Sequence, residues 1–397
     1  MSFLEKHKNP DTFPTRATGL NSMNAYFKQN GLRLGKIIGE GSYSKVRLCI
    51  VTNDQDGPEQ VIACKVISKR KASEDFVNKF LPRELDIVGR LSNPNIVTVF
   101  DVVEFDNHDH VFIFMDFCNK GDLLEFIKKK GFLSEKRTQN YFWQILSAVR
   151  YMHSLDLAHR DLKCENVLLC SGDVVKISDF GFSRYCHDFN GKRILSNTYC
   201  GSAAYAAPEI LQGTQYNPKL YDTWSLGCIL FIMLTGHMPY DESNVQQMLQ
   251  NQNERILTYP HQVEGLISKQ AKRLIGHLLE PDVTRRATIE HALSNSWFTS
   301  LKSKNSSLNV NGNNSGSGDG QSQQQHRQQP TSSREIPFHS IAGSCYEVFA
   351  QDCSKNYVRP TSTHCKKSKD EQFLQESSNP LPLPTTCYRW RHRFQEQ

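Results

Sequence analysis

Three short runs in this chain carry residues suited to one kind of chemistry. HRDLKCEN spans His159 to Asn166, DFG spans Asp179 to Gly181, and CGSAAYAAPE spans Cys200 to Glu209. Moving a phosphoryl group needs a carboxylate to orient an acceptor hydroxyl, and Asp161 supplies one. Charge developing on the phosphate must be neutralised, and Lys163 can reach it. A magnesium ion bridging the nucleotide phosphates needs hard oxygen ligands, and Asp179 and Asn166 are of that type. A lone DFG would mean little. Three runs in this order, at these offsets, point to phosphoryl transfer.

These runs resemble the motifs of protein kinases, and Lys163, two residues after Asp161, fits the serine/threonine class. The finer wording is similar to the testis-specific serine/threonine kinase family: DLKCEN, SDFGFSR, CGSAAYAAPEIL and, far upstream, DFVNKFLPRELDIV. The resemblance runs from Leu32 to Phe298. It implies an α+β, two-lobed protein-kinase fold, with a small β-rich lobe holding one main helix, a large mainly helical lobe, and ATP between them. The expected division is a flexible arm over 1–31, the small lobe over 32–117, the large lobe over 118–298, and a low-complexity, largely disordered tail over 299–397.

The resemblance also assigns roles. Ile38-Gly39-Glu40-Gly41-Ser42-Tyr43-Ser44-Lys45-Val46 falls where a glycine-rich loop would cover the phosphates, with Ser44 in place of a third glycine. Val46 would pack on adenine, and Ala63 belongs to the same nucleotide site. Lys65 would hold the α- and β-phosphates if Glu84 fixes it, and Pro82 marks a helix start or bend. Cys64 is a small buried residue beside them. Met115 to Asn119 matches the hinge, with Met115 as gatekeeper and the backbone of Asp116 and Cys118 against adenine. Asp222 would brace the catalytic loop, and Glu209 with Arg286 would tie the activation segment to the large lobe. Thr198 stands where such kinases are phosphorylated, and its phosphate would pair with Arg160. Ser196 and Ser202 are weaker candidates, Ser202 being better suited to touch the catalytic loop. Asp122 and Glu165 are acidic where related kinases read basic residues, whereas Ile232 replaces a further acid. A preference follows for Arg or Lys three residues before the acceptor, with less demand at two before.

Hydrophobic patterning supplies the elements that must position these groups. LRLGKIIG, SKVRLCIV and QVIACKVI read as strands, and 53–59 as a turn. A helix ending near Leu91 and strands over 96–104 and 110–117 complete a five-stranded lobe. Beyond Gly121 the chain turns helical. Ser134 is an N-cap, and Tyr141, Phe142, Ile145, Leu146, Val149 and Met152 recur at helical steps. Residues 222–236 are apolar nearly all round, which predicts a central helix. Further helices fit 245–251, 268–279 and 289–295. Residues 1–31 show no sustained period, and 302–334 are too rich in Ser, Asn, Gly and Gln to offset chain entropy by burial. PLPLP and a basic RWRHR run near the end suit a short docking motif less well than a plain tail.

Composition narrows the classes. The 397 residues carry a net charge of +6 and 38% hydrophobic residues, with no basic stripe interleaved with aromatics, so nucleic-acid binding is not expected. Twelve cysteines are scattered singly, without metal-ligand spacings or a preceding secretory signal, which favours reduced thiols inside a cell. No apolar run approaches the ~18 residues of a membrane span. The expected compartment is the cytoplasm, with the nucleus as the alternative. Expected partners are protein substrates and, by resemblance alone, a chaperone, spermatid structural proteins or chromatin-packaging proteins. A pseudokinase scaffold is the competing reading. It is disfavoured because Lys65, Glu84, Asp161, Lys163, Asn166 and Asp179 are all present.

Overall fold

The computed structural model describes residue 3 and residues 17–20, 23–52, 59–105, 108–188, 190–197 and 200–299. The tail expected beyond residue 299 lies outside these. The first part of the chain folds as β1 (Ala17–Leu20), α1 (Met23–Gln29), β2 (Leu32–Glu40), β3 (Ser44–Val51) and β4 (Gln60–Ser68). A π-helical turn (Phe76–Phe80) then leads into α2 (Leu81–Arg90), followed by β5 (Val99–Phe105) and β6 (His110–Met115). The sheet order is β1-β5-β6-β4-β3-β2, with every neighbouring pair antiparallel except β1 with β5.

Alternation along the strands gives this sheet two apolar faces. Ile67, Val102, Val111 and Ile113 point to one face, where Phe76, Leu81 and Leu85 cover them. Ile62, Cys64, Val103, Phe105, Phe112 and Phe114 point to the other. That second face explains a correction. Residues 1–31 are not simply a flexible arm, because β1 pairs with β5 and α1 lies on the outer face. The seven-residue helix is too short to announce itself by periodicity. What holds it is aromatic packing: the Tyr26 ring lies 5.9 Å from that of Phe105, and Phe27 lies 5.7 Å from Phe112. The Tyr26 hydroxyl donates to buried Asp101, and burial, then the Asp101 charge, push the phenol well above its usual range. The five expected small-lobe strands are all present as an antiparallel set, and β1 adds a sixth, parallel to β5.

Two further boundaries shift for one reason. β5 begins at Val99 because Val97 instead donates its N–H to the Ile177 carbonyl, at 2.9 Å, in the large lobe. β6 ends at Met115 because the Asp116 N–H bonds the Thr98 carbonyl at 3.0 Å. In each case a backbone hydrogen bond outside the strand competes with its continuation, from the large lobe for β5 and within the small lobe for β6.

The large lobe comprises α3 (Leu123–Lys130), α4 (Glu135–Ser154), β7 (Leu157–Ala158), β8 (Val167–Cys170), β9 (Val174–Ile177), β10 (Arg184–Tyr185) and α5 (Pro208–Leu211). It continues with α6 (Pro218–Thr235), α7 (Val245–Asn253), α8 (His261–Glu264), α9 (Lys269–Leu278) and α10 (Ile289–Ser294). Ser134 caps α4 as expected, accepting from the Arg137 N–H. The central helix is α6, buried from Tyr221 to Thr235. Gly236 ends it at φ +75°, where a Cβ would fall 2.0 Å from the Gly131 carbonyl oxygen, so only glycine fits.

Removing the Tyr26 hydroxyl should take one hydrogen bond from the buried Asp101 carboxylate, which keeps the Val102 N–H. Tyr26→Phe is expected to lose about 1–3 kcal/mol of stability in urea unfolding. An unchanged midpoint would mean that α1 is not part of the cooperative unit.

Candidate active site

The loop between β7 and β8 is set by one buried carboxylate. Asp222, at the start of α6 and fully buried, accepts the backbone N–H of His159 at 2.9 Å and of Arg160 at 2.8 Å. It also meets His153 Nε2 at 2.9 Å. These bonds hold Arg160 at φ +66°, a conformation that costs a non-glycine residue about 1–3 kcal/mol. The His159 ring lies 5.3 Å from that of Phe180, and its Nε2 is 3.1 Å from the Ser178 carbonyl. The loop and the DFG run are thus one packed unit, with Asp179 also at positive φ.

Asp161 emerges from this loop almost entirely buried. Its Oδ2 lies 3.0 Å from Lys163 Nζ and 3.0 Å from Asn166 Nδ2. Gly201 backs the same site at φ +93°. A Cβ there would stand 2.9 Å from the Arg160 carbonyl oxygen and 3.3 Å from Asp161 Oδ1. Burial raises the Asp161 carboxyl above the usual carboxylate range; Lys163 pulls it back, and Asp179 pushes it up again. Burial works against the charged Lys163 ammonium, yet Asp161 and Glu165 outweigh it, so that its pKa rises.

Across the cleft, Lys65 on β4 lies 2.8 Å from Glu84 on α2 and 3.7 Å from Asp179. The Lys65–Glu84 pair and the DFG aspartate therefore meet in one place. Glycine-rich residues form the β2–β3 hairpin, closed by the Gly41 N–H to the Ser44 carbonyl at 2.7 Å. Ser44 is buried, so the side chain replacing a third glycine is accommodated. Tyr43 turns in against Phe76, ring centroids 5.6 Å apart, and Lys45 pairs at the surface with Glu40 at 3.2 Å. Val46 pairs with Lys65 across the sheet, and Ala63 with Met115. At the hinge, the Asp116 N–H is engaged by the Thr98 carbonyl at 3.0 Å. Its side chain has a job the sequence did not reveal. The carboxylate accepts from the Thr98 N–H at 2.9 Å and pairs with Lys176 on β9 at 2.8 Å.

Asn166 and Asp179 are the residues expected to hold a metal. Asn166 Nδ2 donates twice, to the Asp161 carbonyl at 2.8 Å and to Asp161 Oδ2, which turns its amide oxygen the other way. With Asp179 this makes two hard oxygen donors. No group of three or more His, Cys, Asp or Glu among the described residues could hold an ion alone. That donor set fits a magnesium ion completed by phosphate oxygens and water rather than a protein cage.

Thr198 lies outside the described residues. Its proposed partner does not: Arg160 Nε donates to the Phe182 carbonyl at 2.7 Å, and Nη1 reaches Ser196 Oγ at 3.4 Å. Arg184 also bonds Ser196 Oγ, at 3.1 Å. Burial lowers the pKa of Arg83 and Arg184, and the other guanidiniums lower it further: Arg160 acts on both, and Arg83 also on Arg184. Three arginines repelling one another mark a place suited to an anion. Sequence reading found only Arg160. Arg83 directly precedes Glu84, and Arg184 ends SDFGFSR, so both stood inside motifs already quoted.

Other placements differ from expectation. Asp122 is buried and caps α3, its Oδ1 accepting the Glu125 N–H at 2.8 Å, so one carboxylate oxygen is committed to structure. Glu165 faces Lys163 and Asp122, and its carboxyl is raised by burial despite Lys163. Glu242, absent from the sequence reading, is raised by burial and by Asp241 and Glu165. Ser202 contributes its carbonyl to the Tyr205 N–H at 3.1 Å. Gly201, its neighbour, stands against the catalytic loop at the Arg160 carbonyl. Arg286 Nη1 and Nη2 grip Glu209 at 2.6 and 2.8 Å, both residues buried, with the guanidinium 5.0 Å above the Trp224 ring.

Comparison with known proteins agrees with this geometry. The protein kinase domain family matches residues 32–298. The chain is 46% identical over 274 residues to testis-specific serine/threonine-protein kinase 1 of Mus musculus, covering 69% of this chain and 73% of that one. This chain is a protein kinase of the testis-specific serine/threonine kinase family. The human kinase 1 is 44% identical over the same span, and kinase 3 of Mus musculus is 38% identical over 278 residues, its whole length. This kinase matches those relatives across the two lobes described above, and family membership implies ATP and a divalent metal.

Breaking the Glu209–Arg286 pair leaves a buried charge without its partner. Glu209→Gln should cost about 3–5 kcal/mol, read as a lower thermal midpoint and early proteolysis of the activation segment. A loss below about 1 kcal/mol, as for an exposed pair, would show the pair to be dispensable.

Proposed function

We propose that this kinase transfers the ATP γ-phosphate to serine and threonine hydroxyls of proteins, with magnesium as its metal and the residues above in their named roles. The observation that carries this is the meeting of Lys65, Glu84 and Asp179 across the cleft from the Asp161–Lys163–Asn166 clamp. Lys65, steadied by Glu84, holds the α- and β-phosphates. Asp161 orients the acceptor hydroxyl and takes its proton as oxygen bonds to the γ-phosphorus. The β–γ bridge breaks, and its electron pair leaves on ADP. Lys163 stays beside Asp161 and neutralises charge on the moving phosphoryl group. Asp179 and the Asn166 amide oxygen hold magnesium, which supplies charge neutralisation at the phosphates. A scaffold without activity would have no need of an Asp161 held this tightly.

The three arginines support phosphorylation of Thr198 as the activating event, with Arg83 and Arg184 joining Arg160 around the phosphate. Glu165, flanked by Glu242, reads Arg or Lys ahead of the acceptor, and Asp122 contributes only its uncommitted oxygen. Buried Ile232 offers no charge, in keeping with a weaker demand at two residues before. The names of the relatives support a role in male germ-cell differentiation, with spermatid proteins among its substrates. Free, mostly buried thiols support work in the reducing cytoplasm.

Asp161→Asn should abolish transfer to a peptide with Arg three residues before serine while leaving ATP binding intact. Because the Asp161 carboxyl is raised in the folded protein, kcat should fall with acid at a pH above the ordinary carboxylate range of about 4. Transfer surviving in Asp161→Asn, or an acid limb at or below that range, would sink the assignment of Asp161 as base.

A further inference from the structure

One buried polar side chain on α7 has no part in the chemistry described above. Among the nine residues of that helix only Met248 and Gln252 are buried, and Gln252 is wholly shielded from water. Its Nε2 donates to the Ala206 carbonyl at 3.1 Å. Its Oε1 is buried with no hydrogen-bond partner among the described residues. An apolar side chain would fill the same space without leaving a polar atom unmet. What the glutamine adds is the bond to Ala206.

That bond reaches the stretch of chain lying against the catalytic loop. Ala206 follows the 3-10 turn Ala203–Tyr205, and its own N–H closes the turn on the Ala203 carbonyl at 3.0 Å. Ala206 is buried, and its carbonyl is met by a side chain 46 residues away in sequence. Tyr205, the residue before it, carries the contact onward. Its phenol accepts the Cys164 N–H at 3.3 Å and donates to Glu165 Oε2 at 3.4 Å. Burial, then Cys164 and Glu165, push the phenol well above its usual range, which keeps it a donor. Cys164 and Glu165 open the turn Cys164–Asn166, directly after Lys163. A line of contacts thus leads from α7 through Ala206 and Tyr205 to the Glu165 carboxylate.

We propose that Gln252 is a positioning residue for the protein substrate: it holds the 203–206 turn so that the Tyr205 phenol fixes Glu165 toward a basic residue ahead of the acceptor. This rests on Glu165 as the reader of that residue, proposed above. Gln252 bonds the turn and not the Lys65–Glu84 pair or the Asp161 clamp. Its effect therefore falls on peptide recognition, not on ATP binding or the transfer step.

With the full-length kinase, KM is measured for two peptides carrying Arg or Ala three residues before serine. Gln252→Met, of similar length but without the donor, should raise KM for the Arg peptide about fivefold. KM for the Ala peptide, KM for ATP and kcat should stay as in the parent. Tyr205→Phe should lose the same preference, and adding Gln252→Met to it should take away nothing further. An unchanged preference in a folded Gln252→Met protein overturns the proposal. So do equal losses on both peptides, the mark of a merely structural role, and losses that multiply in the double variant. If Gln252→Met does not fold, an unchanged preference in Tyr205→Phe overturns it alone. A parent with no preference for Arg would sink the reading of Glu165, and this proposal with it.

Discussion

A single carboxylate with no access to water holds the reacting end of this molecule in place. Asp222 takes two consecutive backbone N–H groups of the catalytic loop and a histidine from α4. It does so from the first turns of a helix buried on all sides. The hydrophobic effect fixes α6, α6 fixes Asp222, and Asp222 holds Arg160 in a backbone conformation that it would not choose. Only then do Asp161, Lys163 and Asn166 converge. The chemistry thus rests on packing some distance from it, since a buried helix cannot shift without opening a core packed at nearly crystalline density.

Charge is distributed in two opposed groups around that brace. Toward the cleft, Asp161, Asp179 and Glu84 face Lys65 and Lys163 in nearly matched pairs. Toward the activation segment, Arg83, Arg160 and Arg184 crowd together, and Arg160 helps to lower the other two. The matched group is at rest, while the crowded one gains by acquiring a negative neighbour. Arg83 and Glu84 are adjacent on α2, so anything that settles the arginines also bears on the position of the carboxylate that steadies Lys65.

Much of this was legible because kinase chemistry uses rigid spacings. Asp161, Lys163 and Asn166 sit on one loop, so their offsets in sequence translate almost directly into geometry. Strands β2, β3 and β4 are rich enough in Val, Ile and Leu to be read by eye, and α6 is too apolar to be anything but central. Other features depend on where distant segments land. Nothing local in Arg83 or Arg184 says that they will meet. Asp122 reads only as an acid for basic substrate residues until the helix it caps is seen. The Asp116–Lys176 pair joins the hinge to β9, a contact between segments that only the fold brings together. Helix α1 escaped notice because seven residues make too short a period, and its stability comes from the aromatic face it covers.

That covering has a consequence for how the molecule behaves in company. By pairing with β5, β1 occupies a sheet edge that would otherwise display a row of unmet backbone donors and acceptors. By lying over Phe105, Phe112 and Phe114, α1 hides a phenyl-rich surface next to that edge. Exposed strand edges beside apolar faces recruit strands from other molecules. A fragment begun at Leu32 would therefore bare the β5 edge and these rings together.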